Sequence, residues 1–403
     1  MSQRCPLVQR LRRARVVAAA PLLALVLSAC ARAVPTTDVP SSVPPVPRAL
    51  ATSLQAPGGT WATLPMGRLD DPLNTFWQLF FRPKSSAEWS DYVEHTATAT
   101  NGGLVMASSG NLLAVAVLPF YDLKFTPLIY TSDSGKSWST GLFDHTMAPV
   151  PNALAIGAQG RALAIARQAH GEEVFSAPPG LSSWQPLVSQ AALASQPAGK
   201  PCEPAAFTSV AYMGTSAIIG ARCARPGVAG LFVGHSGTWA AASLKLPPSL
   251  SHSLVSVLGL GPAQGRLVAL LSASSPSGTN LFAAWPNVGL TWEASAPLAV
   301  HKAQHLVSYG PAPHSGAFAL LSGRGGSEQL WAASERAARG APWRQLRKPP
   351  AGTATVAYVP GGTLDALAVS STVLNVWALR RAGGGWAKYE VVHVPIQFGS
   401  SSP

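Results

Sequence analysis

Charged residues are scarce in this chain, and acidic residues are the scarcest of them. Only 11% of the 403 residues are charged and only 17 are acidic, whereas 47% are hydrophobic. This composition can bury a sizeable core, so it excludes a disordered chain despite 36 Pro and 37 Gly. The shortage of carboxylates also limits how many carboxylate-based active sites the chain can build.

The apolar run near the N-terminus is too short to span a bilayer. Residues 16–27 follow five arginines, whereas a spanning helix needs about 20 apolar residues. Leu27-Ser28-Ala29-Cys30 comes next. The segment resembles the lipobox of bacterial lipoproteins, and that resemblance implies a signal peptide over residues 1–29, lipid attachment at Cys30 and anchoring to the outer face of the cell membrane. An ordinary cleaved signal peptide is the alternative.

Loss of this segment makes the net charge modest. The formal charge falls from +12 to +7 when the five arginines leave with residues 1–29. No run of Lys and Arg is interleaved with aromatic residues in a recognition pattern, so nucleic acid is not predicted as a partner. A solvated cationic surface near an anionic envelope is the preferred interpretation.

Cysteine is also rare, with four in the whole chain. Once Cys5 is removed with the signal peptide and Cys30 carries lipid, Cys202 and Cys223 remain. In an oxidising compartment two such cysteines most simply form one disulfide. A metal site is the rival interpretation, but no other Cys or His stands near them at ligand spacing. We predict neither a metal nor another cofactor.

The mature chain begins with a segment that cannot form regular structure. Residues 30–57 are mostly Pro, Ser, Thr, Val and Ala, and five prolines between residues 35 and 47 oppose helix and sheet alike. We predict an extended tether over residues 30–57 and one folded domain over residues 58–403.

A repeat near fifty residues organises the folded domain. Seven tryptophans each follow an aromatic-containing apolar strand and a polar or Gly/Pro turn: Trp89, Trp138, Trp184, Trp239, Trp292, Trp343 and Trp386. Each period has room for two further strands upstream. Four short strands per fifty residues predict an all-β fold, a β-propeller of seven four-stranded blades. Because the first unit looks incomplete and the chain continues after Trp386, we expect both termini to share one blade. Six blades with a separate cap are the alternative.

The best-defined repeat unit is the hairpin at residues 131–138. Its defining residues are Thr131, Asp133, Gly135, Ser137 and Trp138, and an Asx side chain with a following Gly suits a tight turn. This spacing resembles the Asp-box, or BNR repeat, of sialidase-like β-propellers, and the chain is similar to uncharacterised actinobacterial exported proteins of that kind. The other turns keep only parts of the motif, mainly Gly and Trp.

The resemblance raises sialidase activity as a hypothesis. Competent sialidases use an arginine triad, a Tyr nucleophile activated by Glu, and an Asp acid/base. Phe81-Arg82-Pro83 stands where the first arginine motif of that family lies, but it lacks the isoleucine. Arg82 is therefore a possible ligand-binding residue, with a surface residue as the alternative. The remaining roles match no residue context, so no catalytic residue is predicted.

These observations favour a monomeric, membrane-anchored, extracytoplasmic propeller that binds an envelope protein or glycan without catalysis. A diverged sialidase-like glycoside hydrolase is one alternative. An assembly factor for an envelope complex is another.

Overall fold

The computed structural model of the protein describes residues 50–56, 58–68, 75–92, 102–118, 128–141, 151–168, 170–235, 237–263, 266–312, 316–334, 342–360, 363–379 and 384–394. The predicted signal peptide, Cys30 and most of the predicted tether lie outside these residues. Within them, no helix is long and apolar enough to cross a membrane.

Seven four-stranded antiparallel blades follow one another along the described chain, each built from consecutive strands; five are separate sheets, and blades 4 and 5 belong to one ten-stranded sheet in which Arg222 of one blade pairs with Ser256 of the next. Blade 1 comprises β1 (Thr52–Ala56), β2 (Gly59–Gly67), β3 (Thr75–Pro83) and β4 (Ser90–Tyr92). Blade 2 comprises β5 (Gly103–Ser109), β6 (Leu112–Leu118), β7 (Leu128–Thr131) and β8 (Ser139–Gly141). Blade 3 comprises β9 (Pro151–Ile156), β10 (Ala162–Gln168), β11 (Gly171–Ala177) and β12 (Gln185–Ser189). A short helix, α1 (Gln190–Ser195), then leads into blade 4.

The remaining blades repeat the arrangement. Blade 4 comprises β13 (Pro204–Met213), β14 (Ser216–Cys223), β15 (Gly230–His235) and β16 (Thr238–Ala241), and after the short β17 (Ser243–Leu244) blade 5 comprises β18 (Leu254–Ala263), β19 (Arg266–Ser275), β20 (Gly278–Pro286) and β21 (Thr291–Ala294). After β22 (Leu298–Val300), blade 6 comprises β23 (His305–Ala312), β24 (Gly316–Gly323), β25 (Ser327–Ala333) and β26 (Arg344–Gln345). Blade 7 comprises β27 (Thr353–Val359), β28 (Thr363–Ser370), β29 (Val373–Leu379) and β30 (Trp386–His393).

The first strand of each blade is the inner one, and the inner strands close a ring. β1, β5, β9, β13, β18, β23 and β27 contact one another in turn, and β27 returns to β1. The second strands are buried on both sides by neighbouring blades, which explains their unbroken apolar runs at 113–117, 162–166, 267–271 and 317–321. The all-β propeller of seven four-stranded blades is therefore confirmed, and the six-bladed alternative is excluded.

Each repeat tryptophan stands at or just before the outer strand of its blade and packs against the preceding blade. Trp184 of blade 3 shares a core with Leu128 of blade 2, and Trp343 of blade 6 shares one with Val268 of blade 5. Burial of such a large ring between two sheets holds neighbouring blades together. The period of about fifty residues is thus the period of these blade-to-blade contacts.

The prediction that the two termini share one blade is wrong. Trp386–His393 pairs with β29 and is the outer strand of blade 7, while the inner strand of blade 1 is Thr52–Ala56. The predicted tether therefore extends too far, because residues 52–56 alternate side chains as a strand although they follow a Pro-rich segment. The Pro-rich composition of the preceding segment gave no indication of this short strand. Without it, the first repeat unit was predicted with one strand too few.

The predicted disulfide is confirmed. Cys202 and Cys223 are bonded, and both are buried. The bond fixes the segment that follows α1 to the end of β14. A closed loop of this size is worth about 3 kcal/mol in the chain-entropy account.

We expect Trp138→Ala to lower the midpoint of thermal unfolding by several degrees. The ring of Trp138 lies 6.0 Å from that of Trp61 and 5.2 Å from that of Tyr92, both in blade 1. Truncating a packed Trp to Ala typically costs about 3 kcal/mol or more. Scanning calorimetry measures the shift. Val288→Ala, in the corresponding turn of blade 5 but with 83% of Val288 exposed, is the control and should change little. Equal melting of Trp138→Ala and wild type would contradict this role.

Candidate functional site

The ring centre is bordered by the seven inner strands, and three of them meet directly through hydroxyl groups. Ser308 of β23 donates to the carbonyl of Ala51, 2.7 Å away, and lies 2.6 Å from the hydroxyl of Thr355 in β27. Ser53 of β1 donates to the carbonyl of Val356 at 2.7 Å. Ala51 and Ser308 also form an isolated parallel bridge. The chain therefore joins the ring close to its axis.

A repeated bulge shapes the inner strands of blades 3 to 7. The register shifts by one residue beside Asn152, Thr208, Leu258, Val307 and Ala354. Each bulge is followed by a small residue, namely Ala153, Ser209, Gly259, Ser308 and Thr355. At Gly259 a Cβ atom would lie 2.3 Å from the ring of Tyr309, so the small side chain admits the neighbouring blade.

The inner strands carry no Asp, Glu, Lys or Arg in the described part of the chain. Their titratable groups are His305, at the start of β23, and three tyrosines. Burial raises the pKa of Tyr309 and of Tyr358 to about 12, and it also raises the pKa of Tyr212. These phenols are neutral hydrogen-bond donors at physiological pH: Tyr309 donates to the carbonyl of Leu258, and Tyr212 to that of Ala162.

A shallow groove lies between blades 4 and 5, on the side where each outer strand connects to the next inner strand. We call this side the connection face and the opposite side the turn face. The groove is lined by Pro226, His252, Leu254, Ser274, Ser275 and Pro276. Its lining again combines apolar and hydroxyl groups, and the imidazole of His252 is the one titratable side chain among these residues.

A cluster of charged residues lies at the seam between blades 7 and 1. Asp365 of β28 is 2% exposed, and its Oδ2 accepts hydrogen bonds from Trp89 Nε1 at 3.0 Å and Tyr389 Oη at 2.8 Å. Arg82 Nε lies 3.7 Å from the same oxygen and donates to the carbonyl of Ala87. The structure thus places Arg82 at this seam, not beside the inner strands.

A bulge in the outer strand builds this cluster. Lys388 pairs with Trp377, and Glu390 pairs with Val376. Tyr389 lies between them and has no partner residue on β29. Successive strand residues normally face opposite sides, and a bulge re-aims one of them. Both Tyr389 and Glu390 therefore reach the seam. Both carboxylate oxygens of Glu390 lie 2.9 Å from the backbone nitrogen of Trp89, which donates to them.

Burial is the main perturbation of the two seam acids. It raises the pKa of Asp365, against the opposing effects of Trp89, Tyr389 and Arg82, and it raises that of Glu390 against the Trp89 amide. It also raises the pKa of Tyr389, which is further raised by the charge of Asp365. One arginine thus faces two carboxyl groups, so the fold favours protonation of an acid here.

The residues of the hairpin at 131–138 form a self-contained turn on the turn face. Gly135 N and Asp133 N donate to Thr131 Oγ1 at 2.9 and 3.3 Å, and Ser137 N donates to Asp133 Oδ1 at 2.9 Å. Bonds from Ser137 lower the pKa of Asp133 to about 2. Gly135 has φ +87°, and a Cβ there would lie 2.9 Å from Trp61. Asp133 and Ser137 therefore satisfy the turn, while Gly135 and Trp138 contact blade 1.

Sequence reasoning missed the partners of Arg82. Asp365, Tyr389 and Glu390 lie about 300 residues from it along the chain, and no short motif links them. A signal was present in blade 7, because Asp365 interrupts an otherwise apolar second strand. A buried charge in such a strand needs a partner. The described residues contain no group of three or more His, Cys, Asp or Glu arranged to hold a metal ion.

Comparisons with known proteins agree with this fold. The chain is similar to the GH74 xyloglucanase from Xanthomonas campestris, with TM-score 0.53 and 13% identity over 86% of this chain and 54% of that one. It is also similar to a protein from Lactobacillus plantarum, with TM-score 0.52 and 8% identity over 84% and 97% of the two chains. An acylaminoacyl peptidase matches with TM-score 0.50 and 8% identity over 84% and 52%.

At these identities the similarity establishes the fold alone. No protein-family model matches the chain, and no curated protein matches it either. The class of protein that the fold defines is the β-propeller.

We expect Asp365→Asn to abolish a pH-dependent loss of stability. Burial raises the pKa of Asp365 in the folded protein above its value in the unfolded chain, which is near 4. The contribution of protonated Asp365 to the free energy of unfolding is therefore fully present below pH 4, and it is lost as the pH rises through the pKa of the folded protein. Asn keeps an oxygen acceptor for Trp89 and Tyr389 but carries no charge. At pH 8 Asp365→Asn should therefore melt at or above wild type, and wild type should gain relative to it as pH falls to 4.

Asp365→Ala is the matched control, because it removes the acceptor as well as the charge. The buried indole of Trp89 then loses its partner, at a cost of about 1–3 kcal/mol, whereas the phenol of Tyr389, a residue that is 41% exposed, can bond to water instead. It should melt below wild type at every pH. A difference between wild type and Asp365→Asn that does not vary with pH would contradict the assignment.

Proposed function

We propose that this protein is an exported, lipid-anchored β-propeller that binds an envelope protein or a glycan without catalysing a reaction. Residues 1–29 and Cys30 support export and anchoring through their resemblance to a lipobox. The Asp-box spacing at residues 131–138 supports a relationship to sialidase-like propellers, at the level of the fold.

The absence of charged residues from the described inner strands is the observation that carries the non-catalytic proposal. A sialidase-type centre needs three arginines and several acids around the substrate. The inner strands offer hydroxyl, amide and apolar groups instead. Such a surface suits an uncharged stretch of polypeptide or a neutral glycan, whose polar groups can be met by hydrogen bonds without a desolvated charge.

A diverged glycoside hydrolase is the second candidate. The seam brings together an Arg, an Asp, a Tyr and a Glu, which are the residue types of a sialidase centre. The arrangement differs in one respect, because the phenol of Tyr389 donates to Asp365 and not to Glu390. Asp365 is also 2% exposed, which leaves little room for a substrate beside it.

A charge placed at the ring centre should test the binding proposal. Gln55 is exposed at the end of inner strand β1 and donates to the carbonyl of Tyr358 at 2.7 Å. We expect Gln55→Arg to reduce ligand capture at least tenfold, since the bound surface would face a new cation. The readout is pull-down from detergent-solubilised envelopes together with binding to a glycan array. Gln185→Arg, the same change on the exposed outer strand of blade 3, should bind as wild type.

Equal capture by the two variants would place the ligand away from the ring centre. If wild type captures nothing from envelopes or glycans, the binding proposal fails. Release of fluorophore from aryl glycosides by wild type, lost in Arg82→Ala, would favour the hydrolase instead. Recovery of a stoichiometric membrane complex would favour an assembly factor.

A further inference from the structure

The connection face of blades 5 to 7 is strongly basic. Five of its connections are described in full: residues 295–304, 323–327 and 346–352 contain Lys and Arg but no Asp or Glu, and residues 275–278 and 370–373 are uncharged. Five exposed residues on this side, His301, Lys302, His305, Arg324 and Lys348, are named here the basic face. The next acidic residue, Glu328, is 4% exposed and accepts a hydrogen bond from Gly352 N at 3.1 Å.

The fold brings these residues to one side of the ring. β22 runs beside β20 with Val300 opposite Thr279, so His301 and Lys302 lie beyond the end of blade 5 on the connection face. A Cβ atom at Gly323 would lie 3.8 Å from the side chain of Gln304, which places the turn carrying Arg324 beside that connection. Lys348 precedes Gly352, which is bonded to Glu328 near that same turn.

The described connection face of blades 3 and 4 also carries acidic residues. On blade 4, Arg225 pairs with Glu203 at 2.5 Å. On blade 3, Glu172 accepts a hydrogen bond from the backbone amide of Phe207, and the charges of Arg167 and Arg222 attract its carboxylate. Among the described connections, those of blades 3 and 4 thus mix basic with acidic residues, whereas those of blades 5 to 7 contain no acidic residue.

The chain joins the ring on this same side. Ala51 leads into β1 at the connection-face end, 3% exposed and bridged to Ser308 of blade 6. The described chain therefore enters the ring next to the blades that carry the basic face.

We infer that the basic face docks on an anionic bilayer surface, with phospholipid headgroups as its partner. This inference rests on the proposed lipid anchor for its biological setting and on charge complementarity for its chemistry. Basic residues near an anionic leaflet each strengthen attraction about fivefold. With this face on the membrane, the turn face and its Asp-box hairpin point outward, and a ligand reaches the ring from that side.

Vesicle flotation with the full chain carrying Cys30→Ser tests the docking without the lipid. We expect binding to vesicles of 40% phosphatidylglycerol and 60% phosphatidylcholine, and weak binding to pure phosphatidylcholine. Lys302→Glu with Lys348→Glu should lower the partition coefficient at least tenfold on the anionic vesicles. Residues 1–49 are the same in every variant, so their own affinity for lipid does not affect the comparison.

Lys136→Glu with Arg344→Glu is the matched control, since both residues are exposed on the turn face and the change in net charge is equal. The two faces are separated by a strand length of ~25 Å, well beyond the screening length of about 8 Å at physiological salt. The control should therefore bind within about twofold of the parent. An equal loss in both double variants, or no binding by the parent, would overturn the inference.

The lipid anchor is tested separately, by comparing wild type with Cys30→Ala in membrane fractions of the producing cells. Loss of membrane retention only in Cys30→Ala supports the anchor. If both are retained equally while the Lys302/Lys348 variant still fails on vesicles, the proposed anchor falls and the docking surface stands.

Discussion

Burial of one tryptophan between each pair of adjacent blades is the contact on which the ring depends. Each blade is a small sheet with two apolar faces and cannot be stable alone, because a few short strands bury too little surface. The tryptophan fills the gap where two twisted sheets diverge toward the rim. Where the turn beside it must be tight, as at Gly135, the backbone adopts a conformation that glycine tolerates. The hairpin at residues 131–138 therefore serves to place an aromatic ring between two blades.

The seam between the first and last blades differs from the other six interfaces, because the chain does not run directly from one of these blades into the other. Without a shared strand, no backbone ladder holds the two ends of the chain together. Side chains do this instead: hydroxyl groups near the axis, carboxyl groups of Asp365 and Glu390 toward the rim, and the indole of Trp89 between them. A buried carboxyl group is costly unless its acceptors are satisfied, and here each acid receives a donor from the opposite blade. The interface is specific but also sensitive to protonation.

Much of the fold was predictable from the sequence, because seven tryptophans and the apolar runs between them repeat at nearly constant spacing. The disulfide followed from counting cysteines. The position of the ring closure did not follow, since residues 52–56 are short, follow a Pro-rich segment and contain no aromatic residue. The seam cluster was hidden for a different reason. Its members are joined only by folding, and the bulge at Tyr389 that gathers them is a local irregularity that no periodicity indicates.

The building of every blade from one continuous segment also affects how the protein is made. All seven blades form from strands that are near neighbours along the chain, so each can assemble as soon as its own strands are available. The contacts that must wait are those across the seam, such as Ser53 with Val356, which are separated by 303 residues. Blade 1 is therefore synthesised first, but its interface with blade 7 forms last. Until blade 7 has formed, one apolar side of blade 1 has no neighbour. The ring therefore stays open to aggregation and proteolysis at this interface until the last blade has formed.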